Sequence, residues 1–531
     1  MRRRLFALSL AIAVIAPLAP AALATGPGGW SHLGNGGSPT TSALNGHVDA
    51  LNTDNPGILY VGGPFTNAGG KANADYLAKW NGSSWSAVNG STTLNGAVDA
   101  IAYHAGHVYV GGQFTNVGNN PDINFLAEWT GTGWTSPCSG SNPITAQVAA
   151  LQIIGDTLYV GGSFRDGGDI PSADFLVACD LTTGAASSTV LNDGDFNSGV
   201  SALTADSNGT LYAGGDFINL AGVTGSDHVS YYSGGTWHPM GGISAVDDKV
   251  RSLAAHGTDV YVGTDAINID GIAKADHIAR WDAQTQTFNS MGSDTAGTNG
   301  WFNSFAFLYG MTTYGSLVFV AGSFQNANGE ATADDFAFFD GTAWRPLGSD
   351  GAGNGPLNSA VNALAIYQQA VVAGGNFTNA GGDALADAIG SHTILRSDAR
   401  IGTQAAGPFA GNNVYSQSGA GESKAISVQR GHSGKIYADI QNDGLVPDSF
   451  KVTGPGGAQG FHLTYYQGAT NVTSQVLSGT FSTGSLAPSA HLTLRVIIKV
   501  DAQSASSGTF LISAKSPGLS ADAVKATVNA T

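Results

Sequence analysis

Apolar and polar positions alternate along this chain in short runs, and turn-forming residues bound each run. One stretch shows the scheme. Val98-Asp-Ala-Ile-Ala102, Val108 to Phe114, Phe125-Leu-Ala-Glu-Trp129 and the segment around Trp134 are strand-like. His104-Ala-Gly106, Val117 to Asp122 and Thr130-Gly-Thr-Gly133 separate them. Two-residue periodicity punctuated by Gly, Asn and Asp predicts four short antiparallel strands.

The series recurs. Its second strand reads Leu59-Tyr-Val-Gly-Gly-Pro-Phe65, Val108-Tyr-Val-Gly-Gly-Gln-Phe114, Leu158-Tyr-Val-Gly-Gly-Ser-Phe164 and Leu211-Tyr-Ala-Gly-Gly-Asp-Phe217. It continues as Val260-Tyr-Val-Gly-Thr-Asp-Ala266, Val318-Phe-Val-Ala-Gly-Ser-Phe324 and Val371-Val-Ala-Gly-Gly-Asn-Phe377. The spacings of 49, 50, 53, 49, 58 and 53 residues predict a repeat architecture, and propeller blades are its all-β form at this length. Gly inside a strand marks a bulge or a close backbone approach. The last copy, with Val361 to Ile366, Val371 to Phe377 and Ala384 to Ile389, lacks the fourth-strand Trp. Trp30-Ser-His-Leu-Gly34 matches Trp344-Arg-Pro-Leu-Gly348 and supplies it. The expected fold over residues 25–395 is therefore a seven-bladed β-propeller whose amino-terminal strand closes the last blade, removing an open edge.

After Arg396 the Trp residues and the period stop. Lys435 to Gln441, Ser449 to Val452, Phe461 to Tyr466 and Leu492 to Val500 alternate as strands, which predicts an immunoglobulin-like β-sandwich over 396–531. Composition agrees with an all-β chain. The 76 Gly are roughly twice ordinary usage, and Glu128, Glu330 and Glu422 are the only Glu. Such scarcity of helix formers excludes a helical bundle.

Residues 1–24 read as a signal peptide: Arg2 to Arg4, an apolar Leu5 to Ile15, and Ala22-Leu23-Ala24 for cleavage. The expected product is secreted, free or held at the cell surface, with no membrane insertion after cleavage. A net charge of −17 without a basic stripe argues against nucleic acid. Two Cys in an exported chain permit a disulfide, but Cys138 and Cys179 fall in different repeats, and two buried thiols are the default reading.

Tyr60 to Gly70 followed by Leu77-Ala-Lys-Trp-Asn-Gly-Ser-Ser-Trp85 resembles the kelch and galactose-oxidase-like propellers. The repeats are closest to those of fungal cortical polarity-marker proteins and uncharacterised bacterial exoproteins. The resemblance covers Trp30 to Leu395 and implies the fold; such propellers host unrelated activities. The copper site of the oxidases has no counterpart in this sequence. Ile440 to Phe450, with Leu486-Ala-Pro488, resembles adhesion or enzyme-accessory modules of bacterial exoproteins, which implies a spacer or docking unit.

Candidate chemistry is sparse. An Asp or Asn recurs before each third strand: Asp75, Asn124, Asp174, Asp227, Asp276, Asp334 and Asp387. Catalytic groups break a repeat whereas scaffold groups follow it, so these read as turn acceptors. His228 and His277 read as surface or packing residues, not metal ligands. No catalytic residue, metal site or cofactor is expected. The second position of each first strand varies: Asp49, Asp99, Ala149, Ser201, Arg251, Asn303 and Asn362. This position borders the channel. Trp301, with Phe302, Phe305 and Phe307, adds aromatic surface beside a hairpin, Tyr309 to Tyr314, that reads as lengthened. The candidate ligand set is therefore Trp301, Asn303, Arg251, Asp49, Asp99 and Asn362, set against a bland reading in which the polar positions line a water-filled channel and the aromatics fill a widened gap between blades. The leading reading is a non-enzymatic binding or scaffold protein for an extracellular protein or glycan. The alternative is an extracellular carbohydrate hydrolase or lyase with an accessory sandwich.

Overall fold

A computed structural model describes residues 29–54, 57–88, 94–138, 144–187, 196–302, 305–517, 519 and 521–531. They form two compact units that divide between Ile394 and Leu395. Both are built from antiparallel β-sheets, with one parallel strand pair in the second unit.

The first unit contains seven four-stranded sheets. In the second, for example, Val98–His104, His107–Gly112, Leu126–Trp129 and Trp134–Thr135 pair in chain order. The first strand of each sheet packs on the first strand of the next, and that of the seventh, Val361–Tyr367, packs on Ala50–Thr53 of the first. The Gly pairs explain the close approach. A Cβ on Gly111 would stand 2.3 Å from Cγ1 of Val148, and one on Gly374 would stand 2.4 Å from Cγ1 of Val48. The same glycine-to-valine contact thus joins the second sheet to the third and the seventh to the first.

The seventh sheet takes its fourth strand from the start of the described chain. Trp30–Ser31 pairs antiparallel with Ile389–Thr393, Trp30 opposite His392. The third strand lies a few residues beyond the expected Ala384 to Ile389, because 380–388 form a turn and the loop leaving it. Trp30 is fully buried, and Gly381, at φ 58°, lies beneath it; a Cβ there would stand 2.8 Å from that of Trp30.

Each recurrent turn acceptor does the same work. The side-chain oxygens of Asp75, Asn124, Asp174, Asp227, Asp276, Asp334 and Asp387 accept from the backbone N–H eight residues earlier, at 2.6–3.0 Å. The donor in every case is a left-handed Asn or Asp that opens a short 3-10 turn. Asn and Asp tolerate that conformation at low cost.

Cys138 and Cys179 form a disulfide with Cα atoms 5.3 Å apart. This corrects the expectation of two thiols. The chain after the second sheet's last strand reaches the third strand of the next sheet, a juxtaposition that repeat numbering alone does not reveal.

In the second unit a six-stranded sheet contains Ser397–Gly402, Ser433–Asn442, His491–Val500 and Phe461–Gln467. A five-stranded sheet contains Ser423–Val428, Asp522–Ala530, Ser507–Lys515, Asp448–Thr453 and Phe481–Leu486. Alternate residues of both, among them Ile436, Ala438, Leu494, Phe450, Ile512 and Val524, share one core. That arrangement follows from period-two patterning on both sheets.

Candidate functional site

The variable positions of the first strands are bulges. Register shifts occur at Asp99, Ala149, Ser201, Arg251 and Asn362, where each residue is left unpaired opposite the Gly strand. A bulge re-aims its side chain, and one falls at this place in six of the seven sheets, the sixth sheet included. Asp49 holds the matching place just ahead of Ala50–Thr53, its N–H bonded to the carbonyl of Gly62 at 2.9 Å.

The sixth sheet corrects the reading. Its first strand is Phe307–Tyr314, and the bulge falls on Tyr309, not Asn303. Asn303 lies outside the described residues. Fourteen residues separate Val98 from its partner Gly112, and the same count back from Gly322 reaches Leu308. That spacing carries the signal that locates Tyr309. The hairpin is not lengthened either, since Tyr314 pairs directly with Leu317. The additional residues precede the first strand.

Trp301 does not belong to a ligand surface. It is 4% exposed, stacked on Trp344 at 5.8 Å and edge-on to Phe302 at 5.0 Å. The inserted segment carries these rings into the core of the sixth sheet, where apolar burial holds them. Phe305 behaves oppositely, at 89% exposed.

The other expected residues form linked polar groups. Asn362 of the seventh sheet donates to Asp49 Oδ1 at 3.1 Å and to the carbonyl of Val48. His47 stands 3.4 Å from Asp49. Asp99 Oδ2 accepts from Gln113 at 3.1 Å and from Gln147 at 2.6 Å. Burial raises both carboxyls above the ordinary range, while Asn362 and the glutamines oppose the shift. Lys249 meets Asp216 at 3.0 Å. Arg251 binds Asp265 through two bonds, at 2.5 and 2.6 Å, and its guanidinium lies 4.6 Å from the Phe307 ring and 5.5 Å from that of Tyr309. The structure thus joins Asp49 to Asn362 and places Arg251 in a separate aromatic cluster.

A cleft of 520 Å³ adjoins that cluster, lined by Phe305, Phe307, Phe324, Gln325, Asp335 and Asn358 among others. Sequence reasoning missed Asp335. Its position, directly after the turn acceptor, holds Tyr76, Phe125, Phe175, His228, His277, Asp335 and Ala388 in the seven sheets, all at φ 57–65°. A left-handed residue that is neither Gly nor Asn is a signal of tertiary constraint, since it carries strain. His228 and His277 are packing residues on this row, each ring nitrogen against a backbone carbonyl. Burial pushes Asp335 up to about 7, although its Oδ1 accepts from the N–H of Phe324 at 3.1 Å.

No family model and no curated protein matches this chain. Solved structures give partial likenesses. A family 123 glycoside hydrolase from Clostridium perfringens shares 10% identity over 26% of this chain and 27% of its own, at a TM-score of 0.17. Domains 4 and 5 of the S-layer protein SbsC share 14% over 20% and 47%, at 0.12. The SrpA adhesin from Streptococcus sanguinis shares 14% over 26% and 58%, at 0.15. The matched stretches span less than two thirds of each of these proteins, and scores at this level carry no argument. Among the described residues no helix is long and apolar enough to cross a membrane.

Proposed function

We propose that the first unit is a seven-bladed propeller of the kelch or galactose-oxidase-like kind, the second is an immunoglobulin-like sandwich, and the exported protein binds an extracellular protein or glycan. The cyclic packing of first strands and the Trp30 strand support the propeller reading. One observation carries the function: the residues that close turns repeat in all seven sheets, whereas the bulged residues at one end do not. Asp49, Asp99, Ala149, Ser201, Arg251, Tyr309 and Asn362 put acidic, apolar, hydroxyl, basic, aromatic and amide side chains on the same scaffold position. Structural duty alone makes equivalent positions alike; divergence on a rigid frame is how binding surfaces arise. The recognised surface is the Arg251–Phe307–Tyr309 cluster with exposed Phe305, where aromatic faces beside polar groups suit sugars or peptide side chains.

The carbohydrate-active alternative draws on Asp335, a carboxyl raised toward neutrality at the edge of the same cleft. Such a group suits general acid–base work. Incubating the purified protein with a glycan and cell-wall array separates the two readings, with hydrolysis followed in parallel. Retention without product supports binding; product formation that Asp335→Asn abolishes supports the enzyme.

A further inference from the structure

The second unit gathers three buried acidic side chains, two of which keep oxygens without a hydrogen-bond donor. Asp398 lies in Ser397–Gly402 of the six-stranded sheet. Glu422 immediately precedes Ser423–Val428, and Asp522 begins Asp522–Ala530, both in the five-stranded sheet. One carboxylate oxygen from each lies within 4.8 Å of those of the other two, and exposures of 0%, 0% and 4% remove the side chains from bulk water.

Asp522 is held in place. Oδ2 accepts from the N–H of Ala399 at 2.6 Å, and Oδ1 accepts from Ser416 at 2.7 Å and Ala523 at 2.9 Å. Asp398 uses Oδ2 to accept from Asn413 at 3.2 Å. Oδ1 of Asp398 has no donor, and neither oxygen of Glu422 accepts a hydrogen bond of good geometry. Among the described residues no Lys, Arg or His nitrogen reaches salt-bridge distance of these three groups. Arg400 is turned to Asp439 and Asn412, and Arg396 lies over the Tyr415 ring at 4.2 Å. Burying carboxylate oxygens without donors is unfavourable unless protons or a cation compensate.

We propose that Asp398, Glu422 and Asp522 form a site for a hard divalent cation of the calcium type, tying the two sheets of the second unit together. An all-oxygen donor set selects calcium or magnesium over zinc and copper. Glu422 offers both oxygens, as a bidentate ligand does, and Asp398 offers Oδ1. The bonds to Ala399, Ser416 and Ala523 fix Asp522 and leave its remaining lone pairs for the ion. The competing arrangement is a closed cluster in which protons shared between Glu422 and Asp522 do the same work.

Isothermal titration of calcium into the chelator-stripped full chain separates these. The expected result is one ion per chain, with affinity in the micromolar to millimolar range, weaker uptake of magnesium, and a melting temperature raised by several degrees in millimolar calcium. Glu422→Gln and Asp398→Asn preserve shape and remove charge. Each should lower calcium affinity at least tenfold and abolish the thermal shift, while the metal-free variant melts at or above metal-free wild type. Two results overturn the proposal: no uptake and no thermal shift in wild type at 10 mM calcium, which assigns the cluster to shared protons, or uptake unchanged in both variants, which puts the ion elsewhere.

Discussion

The indole N–H of Trp30 donates to the carbonyl oxygen of Leu347 at 3.0 Å, across 317 residues of chain. Trp30 belongs to the seventh sheet and Leu347 follows the last strand of the sixth. Trp85 repeats the contact on Leu33 at 2.5 Å, and Trp344 does so on Met291. Indole bonds of one kind therefore link the fifth sheet to the sixth, the sixth to the seventh and the seventh to the first. Trp30→Ala should lower stability by about 3–5 kcal/mol, as expected for removing a buried aromatic with its bond. Denaturant unfolding measures this, and a wild-type midpoint would contradict the role of that strand.

The disulfide gives a second test. It closes a loop of 41 residues between neighbouring sheets. Cys138→Ser should cost about 2–4 kcal/mol, and reductant should shift the wild-type unfolding midpoint but not that of the variant.

The turn acceptors are not equal. Asp276 accepts from Asn268 at 2.9 Å and also from Gly300 at 3.0 Å, and it is buried, whereas Asp75 is only partly buried and bonds Asn67. Asp276→Ala should cost about 2–3 kcal/mol and Asp75→Ala about 1 kcal/mol. Equal losses in thermal melts would show that the extra bond to the inserted segment is immaterial.

Asp335 predicts a pH dependence. An unfolded chain ionises this carboxyl near pH 4, while burial holds it neutral in the fold to about 7. Its contribution is fully present below about pH 4 and is lost as pH rises through 7. Asp335→Asn keeps an acceptor for Phe324 and cannot ionise. It should leave stability at pH 4 nearly unchanged and raise it by about 2 kcal/mol at pH 8. A variant that tracks wild type at both pH values would contradict the assignment.

Legibility in the sequence followed local cause. The Gly pairs, the fourth-strand Trp and the turn acceptors each act within one repeat or on its neighbour, so their spacing announced the strands and the Trp30 pairing. The sixth repeat misled because its insertion precedes the first strand. Residues with the right character, Trp301 and Asn303, occupied the expected place, while the bulge had moved to Tyr309. Burial of Trp301 depends on Trp344 and Phe302 closing around it, which periodicity does not encode. Asp398, Glu422 and Asp522 lie far apart in sequence and meet only through sheet packing. Their one forewarning was that Glu422 is among three Glu in the whole chain.

The central claim is that the divergent end of the first unit recognises a partner. Phe305 tests it most cleanly, because an exposed ring can be removed without disturbing the core. The measurement is the affinity of wild type and Phe305→Ala for the strongest ligand from the glycan and cell-wall array, with melting temperatures recorded alongside. The account predicts unchanged melting and binding weakened about tenfold or more, the loss of an aromatic contact at a binding centre. Equal affinity in Phe305→Ala, and again in Tyr309→Ala, would contradict it.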